Sequence, residues 1–281
     1  MERGHRVCAL ARRPQEPRDG VEWTTGSLED RGALEKLVTE SDAVIHVAGV
    51  INAPDPAGFE AGNVKGTLAM LAAATAAGTR RFVHVSSLAA REPKLSQYGA
   101  SKARSEELVK GSGLDWIIVR PPAVYGPGDK ETLELFKMAR GGQIYMPPKG
   151  SLSLIHVDDL ARLLLAAAER EAPEKIVIEP DDGRRGGWSH VEFGNALAEA
   201  VGVPARTIST PRLLLSVASR IDRLVRRDRA KLTPDRVAYF CHPDWVISPD
   251  RMPPTGFWKP QIPTEQGLSQ TADWYRKEGW L

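Results

Sequence analysis

Residues 81–110 read RFVHVSSLAAREPKLSQYGASKARSEELVK, and this stretch decides the fold. Arg81–Val85 is a short run rich in β-branched and aromatic residues, the pattern of a buried strand. Ser86 and Ser87 end it. From Gly99 to Lys110 the residues are good helix formers. Tyr98 and Lys102 are four residues apart, so a helix through them projects phenol and ammonium from one face, one turn apart. A cation beside a phenol favours the phenolate, so Lys102 is expected to ease loss of the Tyr98 proton. A Tyr so placed can exchange a proton with an alcohol or a carbonyl.

The spacing alone carries little. Tyr145-Met-Pro-Pro-Lys149 repeats it, but Pro147 and Pro148 exclude a regular helix, so that copy reads as a loop. What distinguishes the first copy is its place in a longer alternation. Arg6–Ala11, Ala43–Ala48, Trp116–Val119 and Lys175–Ile178 read as further strands. Arg31–Thr39, with Leu34, Leu37 and Val38 on one side, and the alanine-rich Ala57–Ala77 read as helices. Strands separated by helices make βαβ units, hence an α/β chain with a doubly wound parallel sheet covered on both faces. Ligands of such sheets sit outside the carboxyl ends of the strands. Arg12-Arg13, Ala48-Gly49, Ser86-Ser87 and Pro121-Pro122 all fall there.

Beyond residue 125 the pattern changes to Gly- and Pro-rich insertions, then to a basic helical stretch and a Pro-rich end. This divides the chain into a core, residues 1–125 with 151–180 returning to the sheet, and a smaller substrate region, residues 126–150 and 181–281. At 281 residues and 42% hydrophobic content the chain can bury a sizeable core. A net charge of +2 gives no reason to expect a nucleic-acid partner. Cys8 and Cys241 stand alone, which fits a reducing compartment. The six histidines show no metal-ligand spacing. No apolar run approaches the roughly 20 residues of a membrane span, and Met1–His5 does not start a signal peptide. The expectation is a cytoplasmic protein without stable membrane insertion, acting on a small-molecule substrate, with a homodimer left open.

Taken together these pieces resemble the extended short-chain dehydrogenase/reductase family, which includes nucleotide-sugar epimerases, dehydratases and 3β-hydroxysteroid dehydrogenase-like proteins. Arg3-Gly4-His5-Arg6-Val7 resembles the end of that family's first helix and its second strand. Val44–Gly49, Asn63-Val64-Lys65-Gly66-Thr67, Val83–Ser87 with Tyr98–Lys102, Arg120–Gly128 and His156–Ala161 are similar to its later signatures, and Gly267–Trp280 to its C-terminus. The resemblance runs over residues 1–281 and implies a Rossmann-like sheet. One signature is absent. The family opens with a strand, a Gly-rich turn and a helix whose N-terminus holds the cofactor pyrophosphate. No such glycine pattern lies near residue 1. The missing first strand is the central one, so two inner edges are expected to stand unpaired, at a cost. Three readings stay open: a fragment or misassigned start, a complete chain that repairs the gap by a changed sheet or a partner, and a relic that binds cofactor poorly.

The resemblance implies a dinucleotide cofactor and its contacts. The acidic residue that would favour NAD falls on Ala11, and Arg12 and Arg13 follow, which points to NADP rather than NAD. Ser27 and Leu28 would lie by the adenine, with Ser27 standing where the family usually has Asp. Val47, Ala48 and Gly49 would pass the ribose and pyrophosphate, and Pro121 and Val124 the nicotinamide. Tyr98 would be the general acid/base. Lys102 would lower its pKa and hold the nicotinamide ribose. Ser87 would bind the substrate oxygen, with Ser86 as the alternative and as a cofactor contact. Asn63 reads either as an organiser of the cofactor side or as a polar helix residue.

Asp158-Asp159, just before an apolar helical run, reads as a helix cap. Pro211–Arg229 is basic and amphipathic and reads as a lid or core helix over the pocket, with a membrane surface or partner as the other reading. The expected function is an NADP-dependent oxidoreductase or epimerase acting on a secondary alcohol or ketone. Arg184, Arg185, Arg206 and Arg212 are available for a nucleotide sugar, and the Leu213–Val225 helix favours an apolar, steroid-like ketone. The rival is a non-catalytic cofactor-binding or scaffold protein of the same fold.

Overall fold

In the computed structural model, which describes residues 4–169, 171–227, 230 and 232–281, strands and helices alternate from the first apolar run. Arg3 of the N-terminal signature and Asp228 and Arg229 of the basic segment lie outside the described residues. The first half comprises β1 (Val7–Ala11), β2 (Val21–Thr25), α1 (Arg31–Val38), β3 (Ala43–His46), α2 (Pro56–Phe59), α3 (Gly66–Ala76), β4 (Arg81–Val85), α4 (Gln97–Lys110), β5 (Asp115–Val119) and β6 (Ala123–Tyr125). There follow α5 (Leu133–Arg140), β7 (Gln143–Met146), β8 (Ser151–Leu152), β9 (Leu154–His156), α6 (Val157–Ala168) and β10 (Ile176–Ile178). The rest is β11 (Trp188–Ser189), α7 (His190–Val201), β12 (Arg206–Ser209), α8 (Arg212–Arg226), α9 (Pro234–Phe240), β13 (Asp244–Trp245) and α10 (Thr264–Lys277).

The main sheet runs β10-β5-β4-β3, all parallel. β4 is buried along its whole length, because helices cover both faces. α1, α3 and α4 bury Leu34, Met70, Leu71 and Val109 against Val44, Phe82, Trp116 and Ile118 on one side. α6 buries Leu160, Leu163 and Leu164 against Val83, Val85 and Ile117 on the other. This is the α/β fold with a parallel, doubly covered sheet that the alternation predicts, Rossmann-like as the resemblance implies.

The sheet is divided where the first strand is expected to be missing. Among the described residues β1 pairs only with β2, in parallel register, and β3 pairs only with β4. Leu10 and Leu28 nevertheless pack on the same core as α1 and α3, which ties the two-stranded piece to the main sheet. A separate core, with Phe136, Ile144, Phe193, Leu197, Leu268 and Tyr275, gathers α5, α7, α10 and the small sheets of the second half.

Three elements depart from the sequence reading. The strand expected over Ala43–Ala48 ends at His46, which leaves Val47, Ala48 and Gly49 as exposed chain. The helix expected over Ala57–Ala77 is broken by a π turn, Glu60–Lys65. Tyr145 lies on β7 rather than in a loop, and its hydroxyl donates to Gln143 Oε1 at 2.6 Å.

Candidate active site

α4 is started by Ser96, whose hydroxyl accepts the backbone N–H of Gly99 at 2.9 Å. Gly99 is required by a close approach: a Cβ there would lie 2.6 Å from the carbonyl oxygen of Ala89. That approach presses the first turn of α4 against the 3-10 turn Leu88–Arg91 that follows the two serines. Tyr98 is thereby brought next to Ser87, whose hydroxyl pulls its pKa down against the effect of burial. The β4–β5 pairing continues past both strand ends, from Ser86 N to Val119 O at 2.7 Å and from Leu88 N to Pro121 O at 3.1 Å. Ser87 and Pro121 are held side by side in consequence.

The inner face of α4 is polar yet buried, and each polar group has a partner, as burial demands. Lys102 Nζ donates to Val85 O at 2.9 Å. Ser101 Oγ accepts from Asn63 Nδ2 at 2.8 Å. Ser105 donates to Lys102 O at 2.8 Å and therefore accepts from His84 Nε2 at 3.0 Å. Thr67 likewise donates to Asn63 O at 2.7 Å and accepts from His46 Nε2 at 3.0 Å. Both imidazoles are therefore Nε2-protonated and neutral. Burial pushes the His46 pKa down to about 3 and that of His84 well below its ordinary value, with the Lys102 charge adding to both shifts.

Asn63 is the residue whose role the sequence left open. Its Oδ1 accepts from Val50 N at 2.6 Å and its Nδ2 donates to Val50 O at 2.9 Å. Together with the Ser101 bond this clamps the chain leaving β3 onto α4. Asn63 sits inside the π turn, a distortion that often marks functional sites. At Gly49 a Cβ would lie 2.9 Å from Asn63 Oδ1 and 3.2 Å from Lys102 Nζ. The Val47–Gly49 segment thus passes directly over the Lys102 ammonium.

Ser86 faces elsewhere. Its hydroxyl donates to Glu106 Oε1 at 2.6 Å. Glu106 also takes a bidentate pair from Arg120, at 2.8 and 2.7 Å, and Arg120 reaches Glu179 Oε1 at 3.3 Å. Ser86 is therefore a member of a buried ionic network, and of the two serines only Ser87 meets Tyr98. Burial alone would lower the Arg120 pKa, but Glu106 and Glu179 more than offset it and hold the guanidinium above its ordinary value.

The expected acidification of Tyr98 is corrected. Burial raises its pKa, and the nearby Ser87 hydroxyl only partly offsets this. Lys102 spends its contact on Val85 O, and burial pushes its own pKa down to about 8 despite the opposing pull of Glu106. The folded state thus sheds the Lys102 proton at lower pH than the unfolded chain, so stability rises with pH between about 8 and 10.5. Relative to Lys102→Met, the wild type is expected to gain up to about 1.4 kcal/mol per pH unit over that window. Urea melts at several pH values measure this, and parallel profiles for the two proteins would contradict the burial of a charged Lys102.

The other candidates are dispersed over several elements. Arg12 and Arg13 follow β1, exposed, with no hydrogen bond or ion pair engaging either guanidinium among the described residues. Ser27 Oγ accepts from Glu29 N at 3.2 Å. The Leu28 side chain packs on α3, where a Cβ at Gly66 would lie 2.6 Å from it, so its contact is a core contact. Val124 is half-buried on β6 against the α6 core. Arg184 is committed to Trp188, 3.9 Å from its ring centroid, and to Glu192 at 2.5 Å. Asp158 and Asp159 are not the cap of α6, which is His156. Asp159 is buried, pairs with Arg162 and accepts the backbone N–H groups of Gln261 and Ile262 at 2.8 and 3.0 Å.

Beside Tyr98 stand the rings of Phe59 and Tyr239, with centroids 6.3 and 6.5 Å from its own. A cavity of about 160 Å³ opens next to them, lined by Pro54, Phe59, Gln97, Arg223, Arg227 and Pro234 among others.

The chain is similar to known proteins in sequence and in fold. The model of the NAD dependent epimerase/dehydratase family matches residues 1–178. The chain is 37% identical over 266 residues to the ceramide reductase of Caulobacter vibrioides, covering 93% of this chain and 82% of that protein. Among solved structures, the crystal structure of gox2253 superposes with a TM-score of 0.76 at 22% identity, covering 100% of this chain and 93% of that one. MoeE5 in complex with UDP-glucuronic acid and NAD superposes with a TM-score of 0.71 at 19% identity, covering 99% and 93%.

Proposed function

The chain belongs to the NAD dependent epimerase/dehydratase family, and from that membership we propose that it is an NADP-dependent reductase of a ketone carried on an apolar or amphiphilic molecule. The observation that carries this reading is the placement of Tyr98 beside Ser87 with a buried Lys102 one helical turn further along α4. A phenol whose pKa burial raises stays protonated at neutral pH and is suited to donate. Ser87 would orient the carbonyl oxygen and Tyr98 would give it a proton, so a ketone becomes a secondary alcohol. The bound cofactor supplies the hydride in such chemistry. The likeness to a ceramide reductase favours reduction, and the rings of Phe59 and Tyr239 favour an apolar neighbour for the carbonyl.

The residues present fit the nicotinamide half of the cofactor. At Gly49 any Cβ would intrude on Lys102 and Asn63, so only backbone lines that cradle. Lys102 would hold the nicotinamide ribose, Val47–Gly49 the adjoining backbone contacts, and Pro121 and Val124 the ring. Ser27 and Leu28 would lie toward the adenine. Arg12 and Arg13 are unengaged cations where the extra phosphate of NADP would need them. No Gly-rich turn for the pyrophosphate is present in residues 4–125.

Two measurements test the reading. NADPH fluorescence titration of the purified chain gives cofactor affinity, and ketone-dependent loss of NADPH absorbance gives turnover. A ketone-bearing long-chain amide should be reduced, and a UDP-sugar should not be turned over. Epimerisation of the sugar without reduction of any ketone would overturn the proposal. Arg12→Ser/Arg13→Ser should weaken NADPH binding about ten- to a hundred-fold, from loss of charge-assisted phosphate contacts, and change NADH binding little. Equal losses for both cofactors would contradict the NADP assignment.

A further inference from the structure

The sequence reads α8 as a lid or core helix, and the structure corrects the core half of that reading. α8 is the most strongly amphipathic of the described helices, yet only Ser219 of its residues is buried. The helix is mounted polar side inward. Leu215, Ser216, Ser219 and Asp222 are its less exposed positions, and Asp222 accepts the backbone N–H of Leu232 at 2.9 Å. The apolar side faces out. Leu213 is 75% exposed, Leu214 58%, Val217 46%, Ile221 57%, Leu224 81% and Val225 73%. At 100° per residue these six, with Ala218, fill a continuous arc of roughly 140° that contains no polar side chain. A contiguous exposed apolar face of this kind marks an interaction site on a soluble protein.

Charge accompanies the apolar arc. Arg212, Arg220, Arg223, Arg226 and Arg227 lie in or next to α8, against the single acidic residue Asp222, which pairs with Arg226 at 3.3 Å. The positive excess at this helix is therefore larger than the net charge of +2 of the whole chain. By helical position Arg220 borders the apolar arc, and Arg223 and Arg227 follow on the same flank. Long cationic side chains at the edge of an aliphatic face can rise to lipid phosphates while the face enters the acyl boundary. No described helix is long and apolar enough to cross a membrane, and α8 needs only to lie along one.

We propose that α8 docks this protein on the surface of an anionic lipid bilayer, with Leu213, Val217, Ile221 and Leu224 entering the acyl boundary and Arg220 meeting lipid phosphates. Arg223 and Arg227 also line the cavity near Tyr98, so docking brings the mouth of that cavity to the bilayer surface. The inference rests on the mounting and charge of α8 and stands apart from the reductase reading. An all-aliphatic arc bordered by cations complements lipid phosphates more directly than a second copy of itself, whose arginines would repel.

Flotation of the full chain with vesicles tests it. Vesicles of phosphatidylcholine containing phosphatidylglycerol should carry the protein upward, and pure phosphatidylcholine vesicles should do so far less. Leu224→Gln and, at the other end of the helix, Leu213→Gln should each weaken anionic-vesicle binding about ten-fold. Arg220→Gln should weaken it about five-fold, an effect that high salt removes. Circular dichroism and NADPH titration check that each variant remains folded, since all three side chains are exposed. Absence of binding to anionic vesicles, or binding untouched in all three variants, overturns the proposal. So does a dimer in light scattering that Leu224→Gln dissolves while vesicles bind neither protein.

Discussion

Tyr98→Phe is expected to lower turnover of a ketone by about 10²–10⁴-fold while NADPH affinity changes less than about three-fold. The substitution removes one hydroxyl and keeps the ring that packs between Phe59 and Tyr239. What is lost is the proton donor, the hydroxyl that stands near Ser87. The fold does not depend on that hydroxyl, because α4 is anchored by Ser96, Gly99 and the buried polar face from Ser101 to Glu106. Stability should therefore fall by no more than about 1 kcal/mol, the net worth of one hydrogen bond. Loss of turnover together with loss of cofactor binding would show a structural role for Tyr98. Full turnover would remove it from the chemistry. Ser87→Ala should show the same pattern, with a smaller fall, because the carbonyl loses an orienting contact and keeps its acid.

Much of this site could be read before the structure, and the reason is periodicity. β4 was legible residue by residue because a strand buried on both faces is a continuous β-branched and aromatic run. Tyr98 and Lys102 were legible because a fixed helical spacing follows a strand with two terminal serines. The buried partners of α4 were not. Ser101, Ser105 and Glu106 look like a solvated helix face, and only their positions against Asn63, His84 and Arg120 reverse that reading. Asn63 required knowledge of a π turn, which no spacing rule announces. The shift of Tyr98 escapes the sequence for a related reason. Sequence spacing places Lys102 near the phenol, and the structure gives its nearest acceptor as a backbone oxygen of β4. α8 shows the opposite failure: its amphipathic pattern was plain, but periodicity does not say which side faces the protein. Arg184, offered as a phosphate ligand, is held by Trp188 and Glu192, which are adjacent only in the folded chain.

Arg120→Met is expected to cost about 3–5 kcal/mol of stability, among the largest losses open to a single side chain here. Among the described residues Arg120 is the only cation in bidentate contact with the buried Glu106, and it also reaches Glu179, which has no side-chain exposure. Arg91, at 3.6 Å, and Ser248 N, at 2.9 Å, keep some hold on Glu179. Glu106 keeps Ser86 and a distant Lys110, at 2.6 and 3.9 Å. Removing Arg120 therefore strands the Glu106 carboxylate more than that of Glu179. The loss measures a stranded charge more than the worth of the pair, because forming a buried pair roughly cancels against desolvation. A second substitution separates the two. Arg120→Met/Glu106→Gln should recover about 1–3 kcal/mol of the loss, since the neutral amide can still accept from Ser86. Urea unfolding of the wild type, both single variants and the double variant gives the coupling. Additive losses would mean that Arg120 and Glu106 act independently. The network also has a bearing on chemistry. Ser86 is bound to Glu106 and is the neighbour of Ser87, so Arg120→Met should raise the KM for a ketone even where the protein remains folded. A stability loss with unchanged KM would place the network in the core alone.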